Sequence, residues 1–176
     1  MANGVDTLKA QWDYLFSLLQ GEMNYGAGGP GTGANTSGLL QSVASVGRSE
    51  WPEFNALPFV GVALKDWDES EAFTQKRKLV SIFQIVAVVD VVAAGSSVIQ
   101  LADAYSQLMT ILSDGAGNGI YPLLHDPAHY FLGGSAEKIV PRKGKTEWAS
   151  KPTGKGTDYV AYTTIMLYAE THFGPI

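Results

Sequence analysis

Residues 79–92 read LVSIFQIVAVVDVV, and Ser81, Gln84 and Asp90 are the only polar members. Its β-branched residues fit a pleated strand better than a helix. Because side chains alternate sides along a strand, apolar residues at both odd and even positions put apolar groups on both faces. This segment therefore predicts a long strand inside a sheet. Upstream, residues 57–64, LPFVGVAL, read as a short apolar strand, with Pro58 near its start where a missing N–H is tolerated. Trp51, Pro52, Glu53 and Phe54 read as the turn that leads into it. Between the two strands lies a charged stretch, 65–78, in which Asp66, Asp68, Glu69 and Glu71 precede Lys76, Arg77 and Lys78. It reads as a solvated hairpin tip. The acids lack the central Gly and terminal Glu of a calcium-binding EF-hand loop.

Downstream, Ser97 with Gln100 three residues on resembles a capping box. Val98, Leu101, Ala102, Tyr105, Leu108, Met109 and Leu112 then recur at helical spacing, and the helix ends near Gly115. Residues 158–173, DYVAYTTIMLYAETHF, alternate as a strand, with Ala161, Thr163, Ile165, Leu167, Ala169 and Phe173 on one face and His172 on the more polar one. Gly174 and Pro175 end it. At the other end of the chain, Val5, Leu8, Trp12, Leu15, Phe16 and Leu19 form the stripe of an amphipathic helix that Gly21 stops. Residues 22–37 hold the run GAGGPGTG at 26–33 and read as a flexible loop within a Gly-rich insertion over 22–50. Inside that insertion, Leu39, Leu40, Val43 and Val46 fit a short helix or strand. Residues 114–157 are dense in Gly and Pro and read as an extended loop region, with at most a short strand around 137–140.

The element order is helix, strand, strand, helix, weak strand, strand, without a βαβ rhythm. It predicts an α+β fold: an antiparallel (mixed) sheet of about four strands with two helices packed on one face and long loops. A length of 176 residues is that of a single domain, 1–176. Apolar residues make up 45% and charged residues only 16%, so part of the surface is expected to be uncharged. No uncharged apolar run reaches the length of a membrane span, and the start MANGVDTLKAQW is unlike a secretory signal, so the expectation is a soluble, unexported protein with no membrane partner. The absence of cysteine excludes disulfides, thiol nucleophiles and cysteine-ligated metals.

The net charge of −5 argues against a protein that coats nucleic acid. That average hides an asymmetry: residues 138–155 hold Lys138, Arg142, Lys143, Lys145, Lys151 and Lys155 against Glu147 alone, a local charge of +5 that leaves −10 for the rest. With Trp148 available for stacking, this segment has a nucleic-acid reading, and a plainer one as a lysine-rich surface loop. A third reading sets its part 142–155 against the acids of 66–71, as opposite charges on two loops through which identical subunits dock head to tail.

Catalytic signals are weak. The Gly run lacks the Gly-Lys-Ser/Thr end of a phosphate-binding loop and does not join a strand to a helix. His125, Asp126 and His129 are metal-capable types, but Pro127 interrupts any helix that would align them, and the plainer reading is a turn. His172 reads as solvent-facing and stands far from any G-x-S-x-G context. No catalytic residue, metal ligand or cofactor is assigned and the chain does not read as an enzyme; the alternative from another class is a small metal-dependent enzyme or ligand-binding domain built around His125, Asp126 and His129.

An N-terminal amphipathic helix, a short strand, a long β-branched strand (79–92), a central helix just after it (97–112), a variable loop and a last alternating strand (159–173) together resemble the tail terminator and neck proteins of tailed bacteriophages. The resemblance covers roughly residues 5–20 and 57–173, and departs from the compact pattern at 22–37 and 114–157. It implies a virion protein of the tail or neck, assembled in the host cytoplasm. Such a protein is a homo-oligomeric ring, usually of six copies, that ends tail-tube polymerisation and meets the tail tube protein on one side and the head connector or adaptor on the other. DNA passes through its lumen without sequence-specific binding. The residues expected at subunit interfaces or in the lumen are Asp66, Asp68, Glu69, Glu71, Lys76, Arg77, Lys78, Arg142, Lys143, Lys145, Lys151 and Lys155.

Overall fold

The long apolar strand is the middle of the sheet. In the computed structural model, which describes residues 4–49, 56–72, 76–91, 98–153 and 156–173, it runs over Lys76–Val91. The other elements, in chain order, are α1 (Gly4–Gly21), a small hairpin of β1 (Tyr25–Gly26) and β2 (Gly29–Pro30), β3 (Ser45–Gly47), β4 (Phe59–Ala72), the long strand β5, α2 (Val98–Leu112), α3 (Ile120–His125), a 3₁₀ turn at Leu132–Gly134, β6 (Lys138–Thr153) and β7 (Gly156–Phe173). The main sheet is five-stranded with order β3-β4-β5-β7-β6. It is mixed, because β3 runs parallel to β4 while every other pair is antiparallel.

The α+β architecture with α1 and α2 on one face agrees with the sequence. On the helix side, β5 buries Leu79, Phe83, Ile85, Ala87 and Val89, and β7 buries Ala161, Ile165, Leu167 and Ala169. Leu15 and Leu19 of α1 and Ala104, Leu108 and Ile111 of α2 pack on this surface. At about 1.5–3 kcal/mol for each large apolar side chain taken fully from water, this layer dominates stability. On the other face a smaller cluster of Phe59, Val86, Val88 and Val160 is fully buried with Leu57, Ala149 and Tyr162 packed against it. Gly61 is required beside it: a Cβ there would lie 1.9 Å from the Ser49 carbonyl oxygen.

Several expectations are corrected. Residues 138–153 are a sixteen-residue strand and not a loop, paired with β7 from Lys138↔Glu170 to Thr153↔Gly156. Pro141, Gly144 and Pro152 misled because such residues usually break strands; an edge strand tolerates them, and the register shifts between Lys143 and Thr146 around Gly144. A Cβ at Gly144 would lie 2.0 Å from Thr164 Oγ1. The acidic stretch is likewise strand and not hairpin tip, since β4 continues to Ala72 opposite Lys76 after a bulge between Leu64 and Asp66. That bulge interrupts the alternation on which strand recognition relies.

Two further loops carry structure. Residues 22–37 are built: Asn24, 2% exposed, accepts a hydrogen bond from the Gly33 amide through its side-chain oxygen, and Asn35 donates one to the Gly21 carbonyl. Residues 114–137 contain α3 and the 3₁₀ turn. In α1, Val5 is 72% exposed although it belongs to the apolar stripe. Leu40 and Val43 enter the core, and β3 begins two residues later. The turn at Trp51, Pro52, Glu53 and Phe54, the cap at Ser97, and the stop at Gly174 and Pro175 lie outside the described residues. No helix among the described residues is long and apolar enough to cross a membrane.

Candidate docking surfaces on the sheet

β3 covers only Phe59, Val60 and Gly61 of β4, so the charged half of β4 is a sheet edge; β6 is the opposite edge. The two edges carry opposite charge. β4 holds Asp66, Asp68, Glu69 and Glu71 against Lys65, and β6 holds Lys138, Arg142, Lys143, Lys145 and Lys151 against Glu147. The β4–β5 hairpin turns at the end of the sheet where β7 finishes, and the β6–β7 hairpin turns at the other end. The acids of 66–71 and the bases of β6 are thus on opposite edges, and their hairpins point in opposite directions, whereas Lys76, Arg77 and Lys78 lie on the central strand β5 beside the acids.

Not every charge is available to a partner. Glu69 pairs with Arg77 at 2.9 Å, and its carboxylate abuts the start of α1, since a Cβ on Gly4 would lie 3.0 Å from Glu69 Oε2. A carboxylate suits a helix N-terminus because the amide dipoles there point positive. Arg77 also lies over the Phe173 ring. Lys78 pairs with Glu170 at 2.9 Å. Each of these half-exposed ion pairs is worth about 0–1 kcal/mol, so they orient side chains more than they stabilise the fold. Asp66 accepts a hydrogen bond from the Trp67 amide. On β6, Arg142 stacks over Tyr168 at 4.9 Å from the ring centroid, Lys145 reaches Glu147 only at 3.9 Å, and Lys143 is exposed. Glu71, Lys76 and Lys151 are placed by strand register, at Glu71↔Arg77, Ala72↔Lys76 and Lys151↔Asp158; their side chains and Lys155 lie outside the described residues. Trp148 is opposite Ala161 in the ladder.

The histidines are engaged in local contacts. His125 Nδ1 is 2.8 Å from the Tyr121 carbonyl oxygen. His129 Nδ1 and Tyr14 Oη are hydrogen-bonded at 2.8 Å. Burial, then the nearby Asp126 carboxylate, pushes the Tyr14 phenol above its ordinary pKa. Asp126 closes its own turn by accepting from the Ala128 amide. His172 was expected to face solvent, yet it is held between Glu137, 2.7 Å from Nδ1, and Glu170, 3.6 Å from Nε2. Spacing alone gives no signal for that clasp, because Glu137 stands far off in sequence, just before the neighbouring edge strand β6. Among the described residues no three His, Asp or Glu side chains converge as a metal site.

Sequence reading passed over Trp67 and Phe131, which are 58% and 56% exposed, and placed Met109 in the apolar stripe of α2, where it is 53% exposed. Trp67 follows the β4 bulge, and Phe131 precedes Leu132, which takes a positive φ of 43° while burying its side chain. No protein-family model matches this chain, and no curated protein is significantly similar to it.

Proposed function

We propose that this chain is a structural ring subunit of a tailed-phage virion, placed at the head-proximal end of the tail. There it ends tube polymerisation and joins the tail to the head connector while DNA passes through the lumen. The observation that supports this reading is the segregation of charge between the two edges of one sheet, four acids on β4 and five bases on β6. Two different, complementary surfaces on opposite sides of a subunit are what head-to-tail closure into a ring requires. Charge complementarity favours that register and disfavours like edges meeting. The order of amphipathic helix, short strand, long β-branched strand, central helix, variable loop and last strand is the layout on which the resemblance to tail terminators rests. A lumen rich in carboxylates suits passage of a duplex, because they repel phosphates and leave the DNA unbound.

The test is assembly. Purified chain offered to tail tubes should cap them with one closed ring, seen by electron microscopy. Replacing Asp66, Asp68, Glu69 and Glu71 with Asn or Gln should reduce capping at least about tenfold, equivalent to losing one good interfacial charge pair. Long tubes made of the chain itself would assign it instead to the tail tube. Unchanged capping and infectivity would remove the acids from the ring contact.

A further inference from the structure

The sheet face turned away from α1 and α2 is organised in rows. Across β4, β5, β7 and β6 they read Asp68, Val80, Glu170, Lys138, then Asp66, Ile82, Tyr168, Val140, then Ala63, Gln84, Met166, Arg142. The middle of the face is largely apolar and only half-buried, at Val80, Ile82, Met166 and Tyr168. Glu170 is already neutralised by Lys78. Asp66 and Asp68 on one flank and Lys138 and Arg142 on the other are exposed, and none has an ion-pair partner among the described residues. Three strand spacings separate the flanks by roughly 14 Å, too far for these charges to satisfy one another within a chain.

We propose that this face docks against the same face of a second copy, about a two-fold axis that runs along the strands. Such a rotation lays β4 over β6 of the second copy and leaves every row at its own level. Asp68 then meets Lys138 of the partner subunit, and Asp66 lies over Val140 of the partner subunit, one row from Arg142 of the partner subunit. The contact is isologous, so each pairing occurs twice. Its apolar centre and charged flanks follow the usual anatomy of an interface. The footprint is small for a stable dimer, so the charges decide the affinity and rising salt opens it. This pairing goes beyond the ring reading and competes with it, because both use the same acids and bases: a chain held face to face is withheld from the ring.

Light scattering on the full chain at tens of micromolar and low salt tests the pairing. The wild-type particle should have twice the 18.8 kDa chain mass. Asp66→Lys with Asp68→Lys makes both flanks basic, and Lys138→Glu with Arg142→Glu makes both acidic. Each variant alone should lose self-association at least about 100-fold, and an equal mixture of the two should recover it. Ile82→Glu, in the middle of the face, should give a monomer with an unchanged far-ultraviolet circular dichroism spectrum; if that variant does not fold, the charge-reversal mixture decides alone. A wild-type monomer, a dimer indifferent to either charge reversal, or a folded Ile82→Glu dimer would overturn the pairing. A six-copy particle formed in solution without tail tubes would overturn it while supporting the ring reading.

Discussion

Gln11 shows how one polar side chain fixes the relation of distant parts of the chain. It is fully buried in α1, where its amide donates to the Ser135 carbonyl at 2.8 Å and to Thr171 Oγ1 at 3.0 Å, while its side-chain oxygen accepts from the Ser81 hydroxyl. Thr171 donates in turn to the same Ser135 carbonyl. Every member is paired, which is the condition under which a buried polar network adds specificity instead of destabilising. Gln11→Ala should therefore cost on the order of 2–4 kcal/mol, from the cavity plus the groups left unpaired, measurable as a lower midpoint in urea unfolding at unchanged slope. The tyrosines set an alkaline limit. Burial, then Asp126, raises the pKa of Tyr14; the hydrogen bond to Glu147 at 2.6 Å, then burial, raises that of Tyr162; burial raises that of Tyr121. A phenol whose folded-state pKa exceeds its unfolded value gives stability that is complete below pH 10 and disappears as the pH climbs through the raised values. Thermal melts followed from pH 8 to 12 should fall above pH 10, in step with tyrosinate absorbance.

At the scale of elements, the strands with apolar residues on one or both faces were legible and the edge strands were not. β5 is buried all along its helix side and, at Val86 and Val88, on the other side too, so its sequence is nearly continuous in apolar residues; β7 alternates because the helices cover only one of its faces. β4 beyond Leu64 and β6 lie at edges where water accepts charged side chains, so hydrophobic periodicity carries no information there. Pro141, Gly144 and Pro152 further disguise β6, and these same features guard an edge against indiscriminate strand pairing. The candidate site suffered accordingly: the opposite charges were visible as residue types, but their placement on two edges required knowing that both segments are strands. Hydrogen exchange checks the assignment. Amides of β6 that donate to β7 should be protected and those pointing outward should exchange fast, giving alternating protection along the strand; uniformly fast exchange would be the signature of a loop.

For the whole molecule, the helices shield one face of the sheet, and the other is buried around Phe59, Val86, Val88 and Val160 but only half-buried at Val80, Ile82, Met166 and Tyr168, with acids and bases on its flanks. The apolar helix-side core sets the stability of the subunit, and in the assemblies proposed above the weakly paired surface charge sets the association. Raising ionic strength from about 0.05 to 0.5 M, which cuts the screening length severalfold, should dissociate assemblies while shifting the melting temperature of the subunit by only a degree or two. The order of strands also governs how the protein is made. β7 sits between β5 and β6, yet it is translated after both, and the Gln11 knot closes on Thr171. A nascent chain leaves the ribosome with β5 unpaired along one side until β7 is made, and the contacts of α1 with Thr171 must wait for that strand. Such non-local closure is slow and exposes sticky intermediates, so truncated translation products are expected to be aggregation-prone rather than partly active.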